Sequence, residues 1–342
     1  MNKVLLNTLY VLKERGYVRL DNETVRVEVD GETVGKVPMH HLGGLVLGAD
    51  TMISPALLGE CSERGISVTW MDRRGRFRAS MRGKTRGNVL LRLAQFRAYE
   101  DDTRRLSVAR DIVRAKLTNS RNMLLRRARD LDGTRRTSVR EARAQLDRVI
   151  PRLEGAQDMA ALMGLEGACA NTYFGVFDTI VEGTGFAFER RSRRPPLNAF
   201  NALLSYLYTL LVRDCEAACE GVGLDPQIGF LHKVRPGRPS CALDLAEEFR
   251  SPLADRLAFT LINRKQVTVA SSFETRPGGA VLLNEEGRRV VVQAYQKLKQ
   301  REVTHDLFSE KMPLGLVLHV QARLLARFLR SDIDTYPGFE AR

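Results

Sequence analysis

The character of the sequence changes abruptly once along the chain, and that change limits the architecture more than any other feature. From Leu5 to about Arg82 the chain comes in short pieces, TLYVL, GYVRLD, TVRVEVDG, ETVGKVPM, LGGLVLG, GISVTWMD and GRFRASM. Each is rich in β-branched or aromatic residues and is separated from the next by Gly, Asp or Asn turns, the pattern of strands. One helix is expected among them at SPALLGECSERG, where Ser54 and Pro55 supply a cap and first turn and Gly65 a stop. After MRGKTRGNVLLR the period becomes helical, and it stays so through most of the remainder, with breaks at RRSRRPPLNAF, GLDPQIGF and VRPGRPS. A short hairpin is expected within TVASSFETRPGGAVLLNEEGRRVVVQAY, and SDIDTYPGFEAR reads as a tail. The sequence therefore predicts an α+β protein: a small β-rich domain over residues 1–82, a connecting helix over 83–100, and a larger, all-helical catalytic domain over 101–342.

Charge narrows the class of partner. Lys and Arg number 54 against 41 Asp and Glu, a net charge of +13, so electrostatics favours a polyanion, nucleic acid first and an anionic membrane surface second. Much of that charge lies in the helical stretch before Leu153. There Arg104, Arg105, Arg110, Arg114, Arg121, Arg126 and Arg127 alternate with apolar residues such as Ile112, Leu117, Leu124 and Leu125. The alternative reading of that stretch is a solvated face of intrahelical ion pairs using Asp101, Asp102 and Asp111. Five cysteines without a CxxC pair fit neither a disulfide framework nor a zinc knuckle and point to a reducing cytosol. No secretory pattern is expected at MNKVLLNTLYVLKERGY, and no run approaches the ~18 apolar residues that span a bilayer. The expected location is cytoplasmic.

Three sets of residues stand out chemically. Glu166 sits in the apolar run ALMGLEGACANTYFGVF, where an isolated charge is costly unless a partner, a metal or protonation relieves it. Tyr173 lies two helical turns further on the same face, close enough to border whatever Glu166 serves. His232 follows the turn GLDPQIGFL, and twelve residues later Asp244, Glu247 and Glu248 crowd one helical segment, ALDLAEEF. Carboxylates with one imidazole suit Mg²⁺ or Mn²⁺ better than zinc. The structural alternatives are an arginine partner for Glu166, a hydrogen-bonded core histidine at 232, and a solvated acidic helix end. Taken together in a basic, helical domain, the three sets suggest phosphoryl-transfer chemistry on nucleic acid.

The same segments resemble the CRISPR-associated Cas1 family, the integrase subunit of spacer acquisition, and within it the subtype I-C branch. The resemblance rests on LLNTLYV, ISPALLGECSERGISVTWMDRRGRF, RGNVLLRLAQFR, GLEGACANTYF, RRSRRPPLNAFNALLSYLYTLL, GLDPQIGFLHKVRPGRPSCALDLAEEFRSPLADR and LINR, in family order over nearly the whole length. It implies a metal site on Glu166, His232 and Glu247, with Asp244 as an adjacent acidic residue. Some members carry aspartate where this chain has Glu247, which leaves open whether Glu247 or Asp244 contacts the metal. It further implies a homodimer, a bridging Cas2 dimer, and transesterification by the 3′-hydroxyl of a captured DNA fragment at the repeat boundary of a CRISPR array. The subtype adds a Cas4 nuclease as a further partner. Basic residues adjoining the site, Arg193, Arg194, Arg235, Arg238 and Arg250, are then the candidate contacts to the DNA backbone, with Tyr173 beside them. Two other readings stay open: a metal-dependent DNase acting on branched DNA in repair, and a non-catalytic nucleic-acid scaffold.

Overall fold

The computed structural model describes residues 7–11, 15–48, 50–71, 77–81, 89–192, 195–305 and 307–341. The short segments near the N-terminus are strands: β1 (Asn7–Val11), β2 (Gly16–Asp21), β3 (Thr24–Val29), β4 (Glu32–Pro38), β5 (Leu42–Gly48), β6 (Met52–Ile53), β7 (Ser67–Met71) and β8 (Phe77–Met81). Helix α1 (Pro55–Arg64) stands between β6 and β7, capped as its sequence predicts. The Ser54 hydroxyl accepts from the Leu57 amide at 3.2 Å, and Gly65 closes the helix at a φ of 69°.

Two four-stranded sheets result. One has the order β4-β3-β2-β6 and is antiparallel except for the short β2–β6 pairing; the other has the order β1-β5-β7-β8, with β1, β5 and β7 parallel. In β5, Leu45 and Leu47 face a small core with Val18, Val25, Leu57 and Val68, whereas Val46 between them faces the large core of the helical part. The centre of this sheet is covered on both sides, which explains why LGGLVLG is a continuous apolar run rather than an alternation.

The helical part contains α2 (Val89–Glu100), α3 (Asp102–Arg129), α4 (Gly133–Val149), α5 (Met159–Gly175), α6 (Phe177–Val181), α7 (Ala199–Val222) and α8 (Ser240–Phe249), then a π-helical turn (Arg250–Asp255) and α9 (Arg256–Asn263). It is not all-helical. After α10 (Val269–Ser272), β9 (Phe273–Thr275) and β10 (Val281–Leu283) form the hairpin expected there, and VVVQAY belongs to α11 (Glu285–Lys299). A second hairpin of β11 (Glu302–His305) and β12 (Glu310–Pro313) precedes α12 (Leu314–Leu329), and His305 ends a strand rather than lying in a helix. Strands of three or four residues are too short to leave a two-residue period in the sequence. Among the described residues no helix is long and apolar enough to cross a membrane.

α3 is the central mast of the helical core, burying Val108, Ile112, Leu117 and Leu124, while Leu125 turns outward. Part of its polar face is ion-paired: Asp101 caps the helix, and Arg114 pairs with Asp111 at 2.9 Å and with Glu154.

The C-terminal segment is not a tail. Tyr336 and Phe339 are buried, because the segment lies across α3 and α8 and satisfies a buried carboxylate. Glu248 accepts from the Tyr336 hydroxyl, from the Phe339 amide at 2.7 Å and from the Gln321 side chain at 2.9 Å. Burial pushes the Glu248 carboxyl up to about 7, although those bonds favour its charged form. Asn119 on α3 completes the fastening, donating to the carbonyls of Glu248 and Phe339 and accepting from the Ala341 amide. Phe339→Ala should therefore cost about 3–5 kcal/mol, the usual range for a buried phenylalanine. Denaturant unfolding at fixed pH checks this; a loss of stability below about 1 kcal/mol would mean that the segment is a loose tail after all.

Candidate active site

α5, α8, α3 and the loop before α8 bring four functional side chains together. Glu166 comes from α5, Glu247 from α8, Lys116 from α3, and His232 from the loop. The Lys116 ammonium bonds Glu166 Oε1 and lies 2.7 Å from Glu247 Oε2, so one cation spans the two carboxylates. Glu247 Oε1 is 2.9 Å from an Arg250 Nη2 and 3.7 Å from His232 Nε2. The last distance is too long for a hydrogen bond.

The loop that carries His232 is held by one carboxylate. Asp244 is fully buried and accepts from the amides of Phe230 (2.5 Å), Leu231 (3.0 Å) and His232 (2.9 Å), and its Oδ1 lies 2.7 Å from His232 Nδ1. A carboxylate that accepts three backbone bonds takes the Nδ1 proton as its fourth donor, so the ring presents the lone pair of Nε2 toward Glu247. The loop approaches α8 so closely that a Cβ on Gly229 would come within 2.5 Å of the Ser240 carbonyl carbon. Glycine is required there by space. From the other side the buried Gln95 of α2 donates to the carbonyls of Asp225 and Ile228 and accepts from the Asp225 amide, and Arg105 of α3 donates to the Phe230 carbonyl.

These partners separate the two carboxylates that the sequence left as alternatives. Both oxygens of Asp244 are committed to the loop, and its role is to orient His232. Glu247 Oε2 has charge pairing with Lys116 but no hydrogen bond in proper geometry, and it is buried. Burial alone would raise the Glu247 carboxyl, but the Arg250 and Lys116 charges outweigh it and hold the group at about 2. Glu248, on the same turn of sequence, faces away into the fastening of the C-terminal segment.

Two of the six expected DNA contacts, Tyr173 and Arg250, are engaged inside the protein. Tyr173 is buried in the aromatic cluster with Phe174 and Phe177, and its hydroxyl donates to Asp255 at 2.9 Å, so it does not border the site as a free hydroxyl. Arg250 does not reach outward either: it braces Glu247 and lies 4.8 Å over the Tyr208 ring, whose hydroxyl donates to the other oxygen of Asp255. Arg235 is exposed and Arg238 half-buried on the turn that follows His232. Arg193 and Arg194 lie outside the described residues. Lys116 escaped the sequence reading because its partners are remote, Glu166 being 50 positions away. One signal marks it: between Lys84 and Lys233 every other basic side chain except His232 is arginine.

The donor types suit a hard divalent cation: two carboxylates and an imidazole, with an ammonium already pairing the two carboxylates. With the ammonium between the carboxylates, no group of three His, Cys, Asp or Glu side chains among the described residues is drawn close enough to form a ready cage.

A β-rich lobe leaning on a helical lobe, with paired carboxylates and an oriented imidazole in the latter, defines a protein class, and comparison identifies the family. The profile described as "CRISPR associated protein Cas1" matches residues 9–297. The chain is 47% identical over 342 residues, 99% of both chains, to "CRISPR-associated endonuclease Cas1 1" of Moorella thermoacetica. The chain belongs to the Cas1 family. Two solved structures share the fold: "Casposase bound to integration product", with a TM-score of 0.82 at 21% identity over 97% of this chain and 93% of that one, and the "Cas6-RT-Cas1--Cas2 complex", with a TM-score of 0.81 at 22% identity over 99% of this chain and 36% of that one.

The buried Asp255 behind Arg250 sets a pH dependence. Burial raises its carboxyl from 3.8 to about 6, against the lowering effect of the Tyr208 and Tyr173 hydroxyls. The folded protein therefore keeps a proton that the unfolded chain has released, and the stability this contributes is complete below pH ~4 and lost as pH rises through ~6. A shift of this size corresponds to about 3 kcal/mol. Asp255→Asn should remove that slope from the stability profile between pH 4 and 7, measured by denaturant unfolding; an unchanged slope would assign the titration to other groups.

Proposed function

We propose that this protein is a divalent-metal-dependent DNA endonuclease and integrase of CRISPR adaptation, of the I-C branch, which joins the 3′-hydroxyl ends of captured DNA fragments into the repeat array by transesterification. The observation that carries this reading is that one ammonium pairs Glu166 with Glu247, while His232 Nε2 stands 3.7 Å from the other oxygen of Glu247. Glu166, Glu247 and His232 would hold Mg²⁺ or Mn²⁺. When bound there, such an ion would supply Lewis-acid polarisation of a phosphodiester and offset developing negative charge. Asp244 fixes the imidazole tautomer, and Arg250 holds Glu247 ionised and in place. In the reaction one P–O bond forms to the incoming 3′-oxygen and one breaks in the repeat, so no external energy source is needed.

Surface charge supports a DNA substrate. Arg235 and Arg238 follow His232 on one turn, and the pair Arg193–Arg194 precedes Pro195–Pro196 in sequence; these are the proposed backbone contacts. A further group of arginines, Arg126, Arg127, Arg256 and Arg301, gathers where the end of α3 meets α9. Burial and this crowding bring Arg256 down to about 10. Phosphates would relieve the repulsion, and binding should weaken with salt.

A homodimer is supported by the side chains of Val89, Leu90, Leu93 and Phe96 exposed on α2. A Cas2 dimer is the proposed bridging partner, as one structural relative is the Cas6-RT-Cas1--Cas2 complex. Cas4 is the proposed accessory nuclease.

The test is strand transfer with purified protein, Cas2, a labelled duplex with free 3′-hydroxyls, a plasmid bearing the repeat, and Mn²⁺ or Mg²⁺. Joining at the repeat should fall by roughly 100-fold or more in His232→Ala and vanish with chelator, while folding and DNA binding persist. Cleavage of branched DNA without joining would favour a repair nuclease. Tight binding with no chemistry would leave only a scaffold.

A further inference from the structure

Lys116 has a relation to the site that neither its helix nor its charge requires. Its ammonium is the only cation that touches both Glu166 and Glu247 among the described residues, and it occupies the space that those carboxylates would offer to a divalent ion. Its side chain and that of Glu166 are each 16% exposed and that of Glu247 is 3% exposed, so solvent screens the three charges poorly. Two carboxylates held this close repel strongly without a cation, and the ammonium supplies one.

The kind of cation matters. Arg250, the other positive group on Glu247, is a planar fork laid on the Tyr208 ring and anchored by it. Lys116 is a compact charge on a flexible four-carbon stem, and no aromatic ring among the described residues seats it. It is also the lone lysine in a long stretch whose other strongly basic residues are arginines. One cation in the site is thus seated on a ring, and the other, on a flexible stem, stands on the position the two carboxylates share. An ammonium and a divalent ion cannot both hold the same two oxygens, because they repel each other and compete for the same lone pairs.

We propose that Lys116 is a displaceable counter-cation of this site: its ammonium holds Glu166 and Glu247 in register before the divalent ion arrives and yields its place when the ion binds. Lys116 is a positioning residue in this role, and the inference rests on the metal site set out under the proposed function. It makes metal affinity a difference between two cations bound to one pair of carboxylates. Removing the ammonium tightens metal binding although it harms the metal-free fold, a combination that a purely structural lysine would not produce.

The experiment is Mn²⁺ titration by calorimetry on the whole chain, comparing wild type, Lys116→Met, Lys116→Arg and His232→Ala. Lys116→Met should bind Mn²⁺ about tenfold more tightly or better and should melt earlier without metal. Lys116→Arg should bind it more weakly than wild type, because a fork that grips both carboxylates is harder to displace. If Lys116→Met fails to fold, the wild type decides the matter: acylation of Lys116 by acetic anhydride, followed by mass spectrometry, should speed up several-fold when Mn²⁺ is added. Mn²⁺ binding that is lost in His232→Ala but equal in all Lys116 variants that fold, with acylation indifferent to Mn²⁺, would overturn the displacement and leave the metal site standing. No Mn²⁺ uptake by the wild type would overturn both.

Discussion

The Asp244 carboxylate is the contact on which the site depends. A fully buried carboxylate is costly unless its oxygens are satisfied, and here three consecutive loop amides and the His232 ring do so. The loop before α8 has no regular structure to hold it, so these bonds take the place of a ladder. Gly229 lets the loop approach, Gln95 and Arg105 hold its far side, and the imidazole emerges in one tautomer facing Glu247. One turn of α8 then serves three ends: Asp244 takes the loop, Glu247 the site, and Glu248 the C-terminal segment.

α3 supplies the matching surface. Lys116, Asn119 and Ser120, at i, i+3 and i+4, lie along one face. Lys116 meets Glu247, Asn119 the Glu248 carbonyl, and Ser120 the Ser251 hydroxyl at 2.9 Å. A polar stripe on a buried helix would be a liability if any member were left unpaired. Instead it fixes the rotation and depth of α3 against α8, and with them the position of the Lys116 ammonium. The C-terminal segment reinforces this register, since Gly338 packs against Ala115, one residue before Lys116.

What was legible in the sequence followed the range of the forces involved. The cap at Ser54, the stop at Gly65 and the strands from Gly16 to Met71 depend on neighbours a few residues away, and they stand where the sequence places them. The parallel pairing of β1, β5 and β7 was not legible, because it joins segments separated by other strands and leaves no local period. Glu166 was visible as a charge out of place in an apolar run, and His232 as a histidine shortly before a cluster of carboxylates. Asp244 and Glu247 were visible too, but sharing a helix face made them look alike, and only their remote partners tell them apart. Arg250 and Tyr173 looked available because a sequence shows that a group can bond, not that Glu247 or Asp255 has already engaged it. The sparse apolar residues of the C-terminal segment gave no hint that Glu248 needed donors from it.

The site's charges explain why its two cations differ in kind. Glu247 is buried between them, and its ionised form survives only because both are near. If both were anchored forks, the pair of carboxylates would be permanently neutralised and closed to a metal ion. If both were mobile, Glu247 would be free to swing or take up a proton as the site emptied. In the proposed scheme Arg250 would keep Glu247 charged and aimed throughout, while Lys116 would neutralise the remainder until a divalent ion took its place. The buried Asp255 and its two tyrosine hydroxyls set the floor under this arrangement, because they hold the Tyr208 ring on which the Arg250 guanidinium lies. Order at the site is thus carried from a carboxylate that never meets substrate, through an aromatic ring and an arginine, to the one that would.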